Sequence, residues 1–434
     1  MSDTPTTEPL LARLDAAQPR IARRDMYYRG DQPLTYTAGK IDPAKFRFHA
    51  NICRVAVRAV AERVRLTDVA ATLDGRDVTE RARRLVQDAD LPMLLESIVT
   101  DMLAVGSAYL IVWPDGQGRP SVTGETAEQV IVERDPVTRG VVAAVKMWRV
   151  YDAHNVETAE HVVKYEPTRI THLVRDASTR ELKFHRGYDN PLGVVPVVPL
   201  INIDRIGDEV GASVIDDLAP LVDALNKIMA DMLVTSESVA RPKRWATGID
   251  LEEENTPGDP MEWSADMDSE PPRTTTPGVD EVRAPFDDAD DMWVTEAAEA
   301  KFGQLAGADL DGYKTAAEVI TQQIMAVSSL PSHMVGITTS NPSTAEALRA
   351  SEVSLASLAA SRIRVITRPV EWAVRLLVAL DTGADPADVD VTLTWADPST
   401  RSIAQEADAA AKLHAEDIIT TAEARETVGT DQGI

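Results

Sequence analysis

Cysteine is nearly absent from this chain. Cys53 stands alone among 434 residues, which excludes an internal disulfide framework and fits a reducing compartment. Its plainest role is that of a small buried hydrophobe. Aromatic residues are scarce as well, at 5%. The 44% hydrophobic content must therefore rest on Ala, Val, Leu and Ile, which suits extensive helix packing. No apolar run approaches the roughly 18 to 20 residues that a membrane-spanning helix needs. The opening Met-Ser-Asp-Thr-Pro-Thr-Thr-Glu lacks the basic start and apolar stretch of a signal peptide. A soluble, unexported chain with no membrane partner is expected.

Positive charge is in deficit. Lys and Arg number 44 against 70 Asp and Glu, for a net charge of −26. A surface that grips nucleic acid throughout needs clustered cations, so that class is disfavoured. A protein that nucleic acid slides past without sticking is not.

Catalytic signatures are missing too. Gly39-Lys40 precedes Ile41, and Leu34 occupies the place of the earlier glycine, so a Walker phosphate loop fails at two points. Gly116-Gln-Gly118 reads as a hairpin turn. The seven histidines, at 49, 154, 161, 172, 185, 333 and 414, show no metal-ligand spacing; His161 and His172 read as sheet residues. No Gly-x-Ser-x-Gly elbow is present. Asp216-Asp217 suits a helix start, while Asp287-Asp288 and Asp290-Asp291 read as solvated charges. No catalytic, cofactor-binding or metal-ligating residue is named, and no cofactor is expected.

What is present is a pattern of elements. An amphipathic helix runs through Leu10, Leu11, Leu14 and Ile21, followed by a turn-rich connector at 26–34. A second helix is predicted at 49–65, with Ile52, Val55, Ala56, Ala59, Val60 and Val64 on one face and Arg54, Arg58, Arg63 and Arg65 on the other. A third covers Leu91 to Val105 and ends at Gly106, a C-cap. The period then changes to two, predicting one antiparallel sheet over 108–200 with a solvated face. From Gly211 a long helix carries an apolar stripe at Val214, Leu218, Leu221, Val222, Leu225, Ile228, Met229, Met232 and Leu233. Asp216, Asp217, Asp223, Lys227, Asp231 and Glu237 fall on its other face, and Arg241-Pro242 ends it. Residues 250–300 hold seventeen Asp or Glu against two Arg, with six prolines, and predict a small loop-rich unit. A helix is predicted over about 295–327, a break at 328–343, and a helix at about 344–380 entered through a capping box of Ser343 and Glu346. A strand, Val389–Trp395, precedes a helical tail. The fold class is α+β. Two basic clusters remain: Arg241, Lys243 and Arg244, and Arg362, Arg364, Arg368 and Arg375. They either face phosphates or pair with acids of an adjacent subunit.

The order of these parts resembles the portal proteins of tailed bacteriophages, particularly those of actinobacterial and other Gram-positive hosts. The segments that carry the resemblance are Asn51 to Arg63, Asp101 to Val112, Ile215 to Gly248 with Leu225-Asn226 and Arg241-Pro-Lys-Arg-Trp-Ala-Thr-Gly, and Gln405 to Leu413 with Glu423 to Gly429. The resemblance covers about 20–430 and rests on joint order, since none of the segments is a catalytic signature. It implies a portal-type fold: a flexible arm at 1–20, a helical and antiparallel-sheet wing at 21–205, stem helices at 206–240 and 295–327, a small α/β clip at 241–294, a tunnel loop at 328–343, a wing helix at 344–380, and a crown region at 381–434. Tunnel-loop candidates are Ser329, Ser332, His333, Thr338, Thr339, Ser340 and Asn341; Arg241, Lys243 and Arg244 become the stem–clip junction. Implied partners are further copies in a ring of about twelve, the terminase large subunit during packaging, a head–tail connector or adaptor, the major capsid protein, and double-stranded DNA passing through without sequence preference. The implied location is the virion's portal vertex, with host cytoplasm during assembly. The rivals are a head–tail adaptor or minor head protein, and a metal-dependent phage nuclease.

Overall fold

Two hydrophobic periods alternate along the chain, and the protein uses both. A computed structural model describes residues 7–34, 50–176, 179, 181–206, 210–240, 244–247, 299, 301–304, 310–336, 345–399, 403–416, 418, 420 and 421. The chain divides into two units: Met1–Ala230 with Lys314–Ile434, and Asp231–Tyr313.

The first unit begins with α1 (Thr7–Arg29) and α2 (Ile52–Ala61), then a hairpin of β1 (Leu66–Leu73) and β2 (Arg76–Asp77), then α3 (Thr79–Asp88) and α4 (Leu91–Val105). Eight strands follow: β3 (Ser107–Pro114), β4 (Pro120–Thr126), β5 (Val130–Arg134), β6 (Val141–Tyr151), β7 (Glu157–Tyr165), β8 (Arg169–Asp176), β9 (Leu182–Asp189) and β10 (Val197–Ile201). The fold is α+β with antiparallel sheets, but 108–200 does not make a single sheet. One sheet has the order β10-β3-β4 and another β5-β6-β7-β8-β9. The reason lies in β3, whose first six residues are all buried. Ala108, Leu110 and Val112 point into the main helical core, while Tyr109 and Ile111 meet Val130, Val132 and Ile170 of the larger sheet. A strand buried on both sides is a layer boundary, so the two sheets stack. The far face of the larger sheet is covered by α1, through Leu10, Leu11 and Leu14 against Val145, Met147 and Val162.

The long helix is α5 (Val214–Ala240), and α6 (Asp311–Ser328), α7 (Ala345–Thr382) and α8 (Ile403–Ala415) follow. In α7, Ile366, Val370, Ala373, Val374 and Leu377 are fully buried. The last strand, β13 (Val389–Trp395), pairs antiparallel with β1, from Leu73↔Val389 to Leu66↔Trp395.

The second unit contains an antiparallel pair, β11 (Arg244–Thr247) with β12 (Lys301–Gln304). Thr235 and Tyr313 share a hydroxyl–hydroxyl hydrogen bond of 2.9 Å. This corrects the helix predicted over about 295–327. Phe302, at helical spacing from Leu305, belongs instead to a strand, and the helix begins only at Asp311. Pairing with β11, some sixty residues away in sequence, overrides the local period.

Candidate functional site

The base of α5 is fastened by groups from three earlier elements. Ser213 precedes the helix; its hydroxyl accepts from Ile215 N at 3.0 Å and donates to Ala104 O, at the end of α4. Here two backbones cross. Gly106 and Gly211 have φ of +105° and +76°, and a Cβ on Gly211 would stand 1.9 Å from Gly106 O. Only glycine fits either place. Asn202 ties the crossing together, with its N–H bonded to Gly106 O and its side chain donating to Ala212 O at 2.7 Å.

In the first turn of α5, the buried Arg24 of α1 forms a bidentate pair with Asp216 and also donates to Val105 O. Two turns further, Tyr27 donates to Asp223 at 2.8 Å, and Asn226 Oδ1 accepts from Ala50 N at 2.9 Å. Burial, followed by the bond to Asp223, pushes the Tyr27 phenol up to about 12. Asp223 was expected on the solvated face with Asp216 and Asp217. The structure buries it beside Val222, because Tyr27 gives its carboxylate a donor. A similar offset occurs in α2, where Cys53, Ala56, Val57 and Val60 face the core and Val55 is 37% exposed. Burial raises the Cys53 thiol to about 12, so it acts as a hydrophobe.

The predicted break follows α6. Ser328 Oγ donates to Ile324 O at 2.6 Å, closing the helix. Ser329 then takes a left-handed φ of +58°, and a 3₁₀ turn at Ser332–Val335 ends at Gly336, φ +79°. His333 Nε2 lies 3.3 Å from Glu352 Oε1 on α7. The other oxygen of Glu352 accepts from Arg63 at 3.4 Å, and Arg63 also donates to Ala59 O of α2 at 2.8 Å. Ser329, Ser332 and His333 thus share one short segment pinned through Glu352. Thr338, Thr339, Ser340, Asn341 and the capping-box Ser343 lie outside the described residues. So do Arg241 and Lys243, while Arg244 is the first residue of β11.

The basic cluster on α7 pairs largely within the chain: Arg362 with Asp204 at 3.4 Å, Arg368 with Glu371 at 3.7 Å, and Arg375 with Asp390 at 3.2 Å. Those three guanidiniums already have carboxylates before any phosphate or neighbouring subunit is considered. His161 and His172 are sheet residues as expected, and they touch. His161 Nδ1 lies 2.9 Å from His172 Nε2, with Trp148 stacked on His161 at 5.1 Å. Arg186 donates to His172 Nδ1 at 3.3 Å, which fixes the His172 proton on Nε2. Burial, and then the neighbouring His161, Arg186 and His185, lower His172 to about 4. Among the described residues, no group of three His, Cys, Asp or Glu is placed to hold a metal ion. The Gly116–Gly118 segment is a hairpin turn, with Asp115 accepting from Gln117 N and Arg119 N. Arg24, Tyr27 and Glu352 carried no signal in the sequence, since each matters through a partner far away in the chain.

Known proteins resemble this chain along nearly its whole length. A family model described as "Phage portal protein, SPP1 Gp6-like" matches residues 7–430. The portal protein of Mycobacterium phage D29 is 27% identical over 440 residues, covering 94% of this chain and 85% of that one. The portal protein of Mycobacterium phage L5 is 32% identical over 226 residues, covering 51% of this chain and 42% of that one. Among solved structures, the neck of a native gene transfer agent particle computed with C12 symmetry aligns at TM-score 0.46 and 15% identity, over 87% of this chain and 88% of that one. An empty-particle neck computed with C6 symmetry aligns at 0.47 and 14%, over 93% and 97%. By the family match, the chain belongs to the SPP1 Gp6-like phage portal proteins.

Proposed function

We propose that this chain is the subunit of a closed ring at the unique capsid vertex. The ring forms the channel through which double-stranded DNA is packaged and ejected. The observation that carries the reading is the family match from residue 7 to 430. The protein acts as a structural conduit and not as an enzyme, in the virion and, during assembly, in the host cytoplasm. Its partners are about eleven further copies of itself, the terminase large subunit, a head–tail connector and the major capsid protein.

In this reading α5 and α6 are the stem helices, with the clip between them. The segment from Ser329 onward is the base of the tunnel loop, α7 crosses the wing, and α8 belongs to the crown. Arg241, Lys243 and Arg244 stand at the stem–clip junction. A net charge of −26 per subunit, repeated around a ring, makes a wall to which phosphates do not adhere. Polar groups such as Ser332, His333, Thr338, Thr339, Ser340 and Asn341 allow brief, sequence-blind contacts. Negative-stain imaging of the purified protein tests the proposal. Rings with a central hole are expected, and monomers or filled particles would count against it.

A further inference from the structure

Among the described residues, the outer edge of β9 pairs with no strand. β9 closes the five-stranded sheet and, among the described residues, ladders only with β8. It is eight residues long and contains no proline; Lys183 and one bulge, at His185 between the His172↔Arg186 and Leu173↔Phe184 pairs, are its only guards among the described residues. Exposed edges of this kind are usually shortened, covered or blocked, because a row of unpaired N–H and C=O groups templates another strand.

The side chains along this edge are specific. The register sets Phe184 opposite Leu173 and Tyr188 opposite Ile170. Leu173 packs under α1 and Ile170 packs toward β3, so the two rings emerge on opposite faces of the sheet. They are 60% and 49% exposed. Each is overlaid by a guanidinium: Arg169 lies 5.9 Å from the Phe184 centroid and Arg186 lies 5.6 Å from that of Tyr188. Gly187 makes room for Arg169, since a Cβ there would stand 3.0 Å from Nη2. Among the described residues neither guanidinium has a carboxylate partner, in a chain where acids outnumber bases 70 to 44.

We propose that this edge receives an acidic, extended segment of a partner protein as a sixth strand. Its carboxylates meet Arg169 on one face and Arg186 on the other, and its apolar groups meet Phe184 and Tyr188. A second copy of β9 is a poor occupant, because Lys183, His185 and Arg186 would oppose their own kind. Duplex DNA is another poor occupant, since it offers no backbone to the open ladder and is repelled by the overall charge. The proposal is independent of the portal reading.

Fluorescence anisotropy on the full-length protein tests it. The probe is a short labelled peptide in which adjacent glutamate pairs, pointing to opposite faces of a strand, punctuate Val and Thr. Binding is expected, with a loss of about tenfold or more in the Arg169→Glu/Arg186→Glu variant. The same loss is expected when alternate peptide nitrogens are methylated, or when Lys replaces Glu in the peptide. Phe184→Ala/Tyr188→Ala, at two exposed positions, provides a second variant should the charge reversal disturb folding; it too is expected to weaken binding. No binding of the Glu peptide, undiminished binding of the methylated one, or survival in both variants overturns the proposal. Preference for a short DNA duplex over the peptide overturns it in favour of a nucleic-acid surface.

Discussion

Gly106 and Gly211 have no tolerance for a side chain, and for two separate reasons. Each holds a left-handed backbone, and at Gly211 the space a methyl would need is filled by Gly106 O. Gly211→Ala is therefore expected to destabilise the protein by about 2 kcal/mol or more and to lower its melting temperature; an unchanged melt would contradict the crossing. His172 makes a different residue-scale prediction. Its folded value, about 4, lies below the ordinary value near 6.5, so between the two the unfolded chain binds a proton that the folded chain refuses. Stability from this site is complete above about pH 6.5 and drains away as the pH falls toward 4. The melting-temperature difference between wild type and His172→Phe should shrink across that window, and a difference constant with pH would count against the account.

At the scale of elements, what could be read from the sequence depended on how local the cause was. The helices ending at Gly106 and starting near Gly211, and the strand Val389–Trp395, were legible because their signals are periodicity and caps within the element itself. β12 was not, because Lys301–Gln304 is a strand only by virtue of its pairing with Arg244–Thr247. The face of α2 was misread by one residue, since Val55 and Val57 are chemically alike and tertiary packing alone chooses between them. Asp223 looked solvated because its donor, Tyr27, is almost two hundred residues away. The turn after α6 depends on another such partner. Glu352 holds His333 from one oxygen and Arg63 from the other. Glu352→Ala should speed amide hydrogen exchange across 329–336 by about tenfold while leaving α4 and β3 protected, and equal exchange in variant and wild type would show that Glu352 is no latch.

For the whole molecule, the site was legible only as an order of parts. No residue of the candidate loop announces its role, and Thr338 to Asn341 lie outside the described residues. Function therefore has to be tested in the particle. Replacing Pro331–Asn341 with a short Gly-Ser linker is expected to leave rings intact by electron microscopy but to reduce the DNA packaged or retained in particles. Normal DNA content would remove the tunnel-loop assignment.

The pairing of β1 with β13 bears on how such a subunit is made. Leu66 finds its partner only at Trp395, more than three hundred residues later, so a chain growing from the ribosome carries the β13-facing edge of β1 unpaired until residue 395 has been made. A subunit cut short before Val389 keeps that edge bare, and the face of α7 that packs on β13 stays uncovered. Closure of this one sheet thus joins Leu66–Leu73 to Val389–Trp395, and a single late strand covers both the β1 edge and the α7 face at once.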